Sequence, residues 1–227
     1  MKKSSGKIKN DNIANFLHIG KTGGSAIISA IKSSLRTERY NIKIWDHDVK
    51  LPDIPKGEKV FFFLRDPTSR FVSGFYSRQR KGQPRYNNEW SKFEKEVFMT
   101  FSTPNKLAIS LLDNTRPNYD LAVTAMNDMV HFSSYYSWFK NIEYFRSREN
   151  DILFIGFQES LGEDFEKLKE VLNLPASITL PTDDIAAHRN PAHLNTSLSS
   201  DSIVALNRWY ACDISFVATC KELVSDL

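Results

Sequence analysis

A lysine, two hydroxyl side chains and a pair of glycines follow one another near the start of the chain, at Lys21, Thr22, Gly23, Gly24 and Ser25. The lysine supplies a positive charge, and the threonine and serine supply hydroxyl donors. Glycine lets the backbone approach a ligand closely. This set of residues is suited to holding a phosphate or sulfate ester.

The elements on either side of this stretch predict its position in the fold. The apolar run at 16–19 is bounded by Gly20 and predicts a buried strand, and Ile27, Ile28 and Ile31 have the spacing of one helix face. The N–H groups in the first turn of a helix are unpaired, and the helix dipole favours negative charge at that end. We therefore expect a strand, an anion-binding loop and a helix in succession.

A second group of anion-binding residues follows the most strand-like run of the chain, at 59–64. The run is apolar on both faces, so we expect a central, parallel strand. Arg65 at its end offers a planar guanidinium, and Ser73 offers a hydroxyl from the following helix, which Thr68 or Ser69 is predicted to cap. Two anion sites at neighbouring strand ends suit a ligand with two charged groups.

The nucleotide-triphosphate loop, G-x-x-x-x-G-K-[ST], is an alternative that Gly20, Lys21 and Thr22 fit at its end. The first glycine of that pattern would stand at position 15, which is Asn15. A kinase-like enzyme of this class would also need Mg²⁺ and a carboxylate at a strand end, for which Asp66 is available. It stays open as a second hypothesis, and a non-catalytic nucleotide-binding protein on the same fold is the third.

Both stretches resemble elements of one enzyme family. Residues 18–25 fit the pattern H-I-x-K-T-G-G-[TS] throughout, which resembles the 5′-phosphosulfate loop of sulfotransferases that use 3′-phosphoadenosine 5′-phosphosulfate (PAPS), in the branch containing the heparan sulfate O-sulfotransferases. Residues 65–76 are similar to the second element of that family, R-D-P-x-x-R-[FY]-x-S-x-[FY]. Gly20 departs from many relatives, which carry Pro or Gln there, and 80–148 matches no acceptor-binding pattern.

The resemblance implies an α/β fold with three layers, a P-loop-like sulfotransferase architecture in which helices flank a central, mainly parallel sheet. It implies PAPS as the donor, 3′-phosphoadenosine 5′-phosphate (PAP) as the product, and no metal. The implied reaction is in-line transfer of the sulfonyl group to an acceptor hydroxyl, and the branch favours a carbohydrate acceptor.

The nucleotide-binding residues are carried over position by position from the two motifs. Lys21 is expected to stabilise the bridging oxygen during transfer, and Arg189 lies in a stretch that resembles the loop closing over the nucleotide. The predicted contacts to the 5′-phosphosulfate are Lys21, Thr22, Gly23, Gly24 and Ser25. The predicted contacts to the 3′-phosphate are Arg65 and Ser73.

A histidine is the best candidate for the catalytic base. In related heparan sulfate 6-O-sulfotransferases a histidine shortly before the R-D-P strand removes the acceptor's proton, and His47 occupies the corresponding stretch. An imidazole with an ordinary pKa of about 6.5 suits a base at neutral pH, and Asp46 or Asp48 is expected to orient it. For His18 we expect a structural role, and the aromatic-rich stretch around His131 favours a core position over one facing the acceptor.

Composition and length bound the remaining possibilities. A chain of 227 residues with 41% hydrophobic and 25% charged residues suits one domain, predicted at 13–227 after a flexible basic tail at 1–12. The net charge of +3 is well short of a nucleic-acid-binding signature. Cys212 and Cys220, eight positions apart in a predicted helix, are too distant for a disulfide and favour a reducing compartment.

The remaining pattern completes the expected order of elements. No apolar run approaches the roughly 18 residues of a membrane span, so we expect a cytoplasmic, soluble bacterial-type enzyme with no transmembrane segment. A polar loop is predicted at 80–90, followed by several helical pieces up to 148. Further strands are predicted at 40–45 and 151–157, and further helices at 161–174 and 199–223.

Overall fold

Four parallel strands form the centre of the part of the chain that the computed structural model describes, which is residues 12–183, 191 and 194–225. In sheet order these strands are β2 (Asn41–Ile44), β1 (Ile13–Phe16), β3 (Lys59–Leu64) and β4 (Ile152–Phe157). The predicted mainly parallel sheet is therefore confirmed. Most of the predicted tail, at 1–11, lies outside the described residues, and the division into a tail and a single domain stays a prediction.

The helices account for most of the remaining regular structure. Short 3₁₀ turns occur at Leu51–Asp53, Val130–Phe132, Glu149–Asp151 and Gln158–Ser160. The α-helices are α1 (Gly24–Ile31), α2 (Pro67–Gln79), α3 (Lys92–Thr100), α4 (Pro104–Ser110), α5 (Tyr119–Asp128), α6 (Tyr136–Phe139), α7 (Ile142–Arg146), α8 (Leu161–Leu172), α9 (Ser200–Trp209) and α10 (Ala211–Ser225).

Both faces of the sheet are covered by helices, which confirms the predicted α/β fold with three layers. Phe61 and Phe63 of β3 pack on one side with apolar residues of α1 and α8. Phe62 and Leu64 pack on the other side with apolar residues of α6, α7 and α10. Because successive side chains of a strand point to opposite faces, the unbroken apolar run of β3 is what a doubly covered central strand requires.

A third apolar cluster lies beside the sheet and is built from the region 80–148. Helices α3, α4 and α5 pack there against α2 and α9, with Phe75, Leu107, Met126 and Leu206 all buried. The prediction of several helical pieces between the polar loop at 80–90 and residue 148 is confirmed. Helix α4 begins at Pro104, because proline fits the first position of a helix.

Two predicted elements have different bounds in the structure. The first strand was expected at 16–19, but β1 ends at Phe16, because the Ile19 N–H donates back to the Leu17 carbonyl (3.1 Å) and the chain curls away from the sheet. The final helix is interrupted at Tyr210, whose buried hydroxyl donates to the Phe132 carbonyl (2.8 Å). The predicted free thiols Cys212 and Cys220 are confirmed.

Helix α2 begins differently from the prediction. Asp66 caps it, with a carboxylate that accepts from the Ser69 N–H (2.8 Å) and from the Thr68 hydroxyl (2.6 Å), and Pro67 takes the first helical position. Thr68 and Ser69 are residue types that commonly cap helices, but the carboxylate of Asp66, which precedes them, caps this helix. The Asp66 side chain is therefore committed to the helix start.

Two glycines allow α1 to begin close to the rest of the fold. Gly23 has a φ of +91°, a left-handed conformation that favours glycine, and a methyl group there would lie 3.1 Å from a methyl carbon of Leu161. A methyl group at Gly24 would lie 2.3 Å from Cδ2 of His18. The imidazole of His18 therefore packs directly on the first residue of α1, and only glycine leaves room for it.

We expect Gly24→Ala to destabilise the protein by about 1–3 kcal/mol, because the added methyl group forces the His18 ring out of its place. Gly162→Ala, early in α8, is the matched control: nothing lies within 4 Å of the added methyl group, so that variant should gain about 0.4–1 kcal/mol. Urea unfolding of the three proteins measures both changes. Equal stability of the two variants would contradict the packing described here.

Candidate functional site

A cavity of about 1200 Å³ opens beyond the carboxyl ends of β1 and β3. It is bounded by the loop before α1, one face of α2 and the chain between α2 and α3. Cavities at this edge of a parallel sheet commonly bind ligands, and this volume exceeds the roughly 300–1000 Å³ of sites for a single small molecule. The predicted site residues that line it are Lys21, Gly23, Gly24, Ser25, His47, Arg65 and Ser73.

The loop before α1 presents unpaired N–H groups to this cavity. Gly23 is the N-cap of α1, no side chain caps the helix, and its first turn carries no acidic residue. Because the dipole of a helix makes its N-terminus positive, an anion at this point would be stabilised. Thr22 has a different place from the one predicted: its side chain is buried and its hydroxyl donates to the Ile19 carbonyl (2.9 Å), so it supports the loop and does not line the cavity.

Positive charge dominates the cavity wall. Among the described residues, the cationic side chains of Lys21, Arg65, Arg78 and Arg85 line it, and so does the carboxylate of Asp46. Partial enclosure between low-dielectric walls strengthens the resulting potential, so the cavity favours an anionic ligand.

The environment of Lys21 changes the pKa of its side chain. Burial, together with the nearby charges of Arg80, Arg65 and Arg70, lowers the pKa of its ammonium group from 10.5 to about 7. A lowered pKa means that the charged form is held less well in the folded protein, and that Lys21 loses its proton as the pH rises through 7. An anion bound beside Lys21 would favour the charged form and raise the pKa again.

The backbone of Arg65 is fixed on both sides by one hydroxyl. The Tyr135 hydroxyl donates to the Arg65 carbonyl (2.6 Å) and accepts from the Arg65 N–H (3.0 Å). The Arg65 Nε donates to the Ser69 hydroxyl (2.7 Å), which orients the guanidinium and leaves its terminal nitrogens for a ligand. Ser69, Ser73 and Ser77 lie at intervals of four residues, so α2 presents a row of hydroxyls to the cavity.

The imidazole of His47 is held by a backbone carbonyl. Its Nδ1 lies 2.9 Å from the His18 carbonyl oxygen, and the ring centroids of His18 and His47 are 3.9 Å apart. A carbonyl only accepts hydrogen bonds, so Nδ1 carries the proton and Nε2 of the neutral ring keeps a free lone pair. The expectation that Asp46 or Asp48 orients this ring is wrong, because the chain curls after β1 and brings the His18 carbonyl to Nδ1.

Two further histidines are kept neutral beside the cavity wall. Burial lowers the pKa of His18 to about 3, with further lowering by the nearby His47 and Arg85. Burial likewise lowers the pKa of His131 to about 3, and the positive charge of Lys21 contributes. Both side chains line the cavity and are uncharged at neutral pH.

The placement of His131 differs from the expected core position. Its backbone lies against α2, where a methyl group at Gly74 would be 2.6 Å from the His131 carbonyl oxygen. A glycine in the middle of a helix often marks the close approach of another backbone. Gly74 is therefore the residue of the sequence that could have indicated a segment packed against α2. The partner segment, however, is 57 positions away and carries no matching pattern.

The polar loop predicted at 80–90 is tied to α2 by Arg78. The buried Arg78 guanidinium pairs with the carboxylate of Glu94 and donates to the carbonyls of Asn88 (2.6 Å) and Glu89 (2.7 Å). The indole N–H of Trp90 donates to the Arg78 carbonyl (2.9 Å). This loop thereby forms one wall of the cavity, to which it contributes Gly82, Arg85, Tyr86 and Asn88.

The remaining predictions concern Arg189, metals and the membrane. Arg189 lies outside the described residues. Within the described ranges, no three His, Cys, Asp or Glu side chains are grouped so that they could hold a metal ion. None of the helices in the described part of the chain has both the length and the apolar character that a bilayer span needs.

We expect Lys21 to titrate with a midpoint near pH 7 and inorganic sulfate to raise that midpoint, because the bound anion stabilises the ammonium form. The pH dependence of the Lys21 side-chain NMR signals, assigned by their loss in Lys21→Arg, measures both values. A midpoint near the ordinary 10.5, or one that sulfate leaves in place, would contradict the described environment of this group.

Comparison with known proteins agrees with this geometry. The model of the sulfotransferase family matches residues 9–216 and so covers nearly the whole chain, including both anion-binding stretches and His47. The comparison with curated proteins finds no match. The family model spans well over half of the sequence, and the chain belongs to the sulfotransferase family.

Proposed function

We propose that this protein transfers the sulfonyl group of PAPS to an acceptor hydroxyl of a carbohydrate. The observation that carries the proposal is the meeting, in one cavity, of the uncapped N-terminus of α1 with Lys21, of Arg65 with Ser73, and of His47 with its Nε2 free. Two anion sites and a base are the groups that this reaction needs.

The chemistry of the cavity wall fits the donor. Lys21 and the N–H groups of Gly23, Gly24 and Ser25 would hold the 5′-phosphosulfate, and Arg65 and Ser73 would hold the 3′-phosphate. Apolar side chains near the loop suit the faces of an adenine ring. Those side chains are Leu161, Leu180 and Pro181.

The donor supplies a sulfonyl group bound to a phosphate oxygen that leaves as a stable anion. His47 Nε2 would accept the proton of the acceptor hydroxyl as the new oxygen–sulfur bond forms and the bridging oxygen–sulfur bond breaks, with the electron pair passing to the phosphate. Lys21, in its charged form, would stabilise the negative charge that develops on the bridging oxygen. The protein therefore contributes mainly alignment and fixed positive charge.

A carbohydrate acceptor is supported by the resemblance to the heparan sulfate O-sulfotransferase branch and by one feature of the cavity rim. Tyr86 is 47% exposed, lines the cavity and stacks under the Arg85 guanidinium, which lies 5.4 Å from the ring centroid. An exposed aromatic face beside a cation suits a sugar ring that carries negative groups. The acceptor and the branch are both proposals.

The kinase-like alternative has less support. The carboxylate that the sequence offered for Mg²⁺ at a strand end, that of Asp66, caps α2 instead, although the carboxylate of Asp46 also lines the cavity. If the protein is not an enzyme, replacing His47 has no consequence for turnover. A variant of His47 therefore separates the non-catalytic alternative from the proposed sulfotransferase.

Calorimetric titration with PAP, and separately with ATP and Mg²⁺, tests the donor. We expect PAP to bind and Lys21→Ala and Arg65→Ala each to weaken that binding about tenfold to a hundredfold, because each loses a charged contact to phosphate. Arg116→Ala is the control for a general change in charge, since Arg116 pairs with Asp113 on the surface outside the cavity. Tighter binding of ATP with Mg²⁺ would favour the kinase-like enzyme, and binding of neither would contradict a nucleotide site.

The role of His47 is tested by PAPS turnover with a panel of carbohydrate and other hydroxyl acceptors. We expect His47→Ala to bind PAP as the wild type does and to lose about 100-fold to 10,000-fold in turnover, because the base is removed. Asp48→Asn should retain activity, since the His18 carbonyl and not this carboxylate holds the ring. Unchanged turnover in His47→Ala would remove His47 from the reaction.

A further inference from the structure

Arg70 of α2 is a buried cation that has no carboxylate partner within the described ranges. Its side chain is almost fully buried, with 2% of the residue exposed. Nε donates to the Gly20 carbonyl (3.0 Å) and Nη1 donates to the Ser133 carbonyl (2.6 Å), while Nη2 is buried without a partner. A buried, incompletely paired charge is costly, so its presence calls for an explanation.

Another arginine shows what a purely structural arrangement looks like in this protein. Arg148 is equally buried, and its guanidinium donates to the carbonyls of Leu51, Ile54 and Pro55 and pairs with the carboxylate of Asp151. Neither arginine is among the residues that line the cavity. The contrast lies in the direct contacts: the Arg148 guanidinium is paired with a carboxylate, whereas the hydrogen bonds of the Arg70 guanidinium within the described residues go to backbone carbonyls.

The two aromatic rings under the Arg70 guanidinium connect it to the cavity. The guanidinium lies 4.9 Å from the ring centroid of Tyr135 and 5.1 Å from that of Trp138. The Tyr135 hydroxyl fixes the backbone of Arg65 on both sides, and the indole N–H of Trp138 donates to the His47 carbonyl (2.9 Å). Arg70 thus contacts the loop before Lys21 by a hydrogen bond to Gly20. It is connected to Arg65 through the ring of Tyr135 and to His47 through the ring of Trp138.

We propose that Arg70 is a positioning residue that holds the loop before Lys21, the backbone of Arg65 and the backbone of His47 in one fixed arrangement. This inference rests on the proposed function. A single rigid guanidinium, with donors in its plane and rings on its face, can fix three segments at once, which a lysine cannot do. Its charge also adds to the positive potential that an anionic donor would meet.

The charge of Arg70 affects ionisable groups on both sides of it. Its charge contributes to the lowered pKa values of Lys21, Arg65 and His131 on the cavity side. On the other side lies Asp213, whose carboxylate accepts from the Tyr135 N–H and the Ser134 hydroxyl, and whose pKa is raised by burial. That carboxylate makes its hydrogen bonds to the backbone and to a hydroxyl next to the rings, and the nearby charge of Arg70 opposes the effect of burial on its pKa.

The test compares Arg70→Lys and Arg70→Met with Arg148→Lys and Arg148→Met, and adds Trp138→Phe, which keeps a ring beneath the guanidinium and loses the donor to His47. Three quantities are measured in each protein: the imidazole nitrogen NMR signals of His47, the titration midpoint of Lys21, and the affinity for PAP. Unfolding in urea, followed in parallel, reports the loss of stability that either buried arginine is expected to cause.

We expect both Arg70 variants and Trp138→Phe to shift the His47 signals. Arg70→Lys should also weaken PAP binding about tenfold, because the planar guanidinium is lost although the positive charge is kept. Arg70→Met should also raise the Lys21 midpoint above 7, because a positive neighbour is removed. The Arg148 variants should lose stability and leave all three quantities unchanged.

The three quantities separate failure of this inference from failure of the proposed function. If the wild type does not bind PAP, the proposed function fails, and the His47 signals and the Lys21 midpoint still decide the role of Arg70. If the Arg70 variants match the Arg148 variants in those two quantities, the inference is overturned. Should an Arg70 variant not fold, unchanged His47 signals in Trp138→Phe overturn it as well.

Discussion

The contact between the imidazole of His18 and the backbone of Gly24 is the constraint on which the site depends. It sets how closely α1 can approach the end of β1, and therefore where the unpaired N–H groups of the loop are directed. The same residue, through its carbonyl, holds Nδ1 of His47. One histidine thus determines both the position of the anion loop and the protonation pattern of the candidate base, although its own ring stays neutral and need not touch a ligand.

Among the described residues the cavity wall carries more cations than carboxylates, and burial of positive charge is costly. The lowered pKa of Lys21 is one expression of this cost, and the incompletely paired guanidinium of Arg70 is another. An anionic ligand would stabilise the charged form of Lys21, which lines the cavity. The electrostatics of the folded chain therefore favour the same class of ligand that the two motifs imply.

The helices between α2 and β4 contribute more than a covering layer. Their apolar residues form a separate cluster against α2, and the turn at Val130–Phe132 is pressed onto Gly74 of that helix. This packing brings His131 to the cavity and places the rings of Tyr135 and Trp138 beneath Arg70. The region without a recognisable sequence pattern is thus the one that supports the backbone of both Arg65 and His47.

The sequence by itself determined the central elements and the anion-binding stretches, because these depend on local signals: the doubly apolar run of β3, the glycine pair before α1, and an arginine at a strand end. Tertiary structure alone decided which groups complete the site. The orientation of His47 depends on a carbonyl 29 positions away, the hydroxyl of Thr22 is directed back to Ile19, and the surroundings of Arg70 come from a segment more than 60 positions distant. Such contacts join residues that no periodicity or motif relates, so they exist only once the chain has packed.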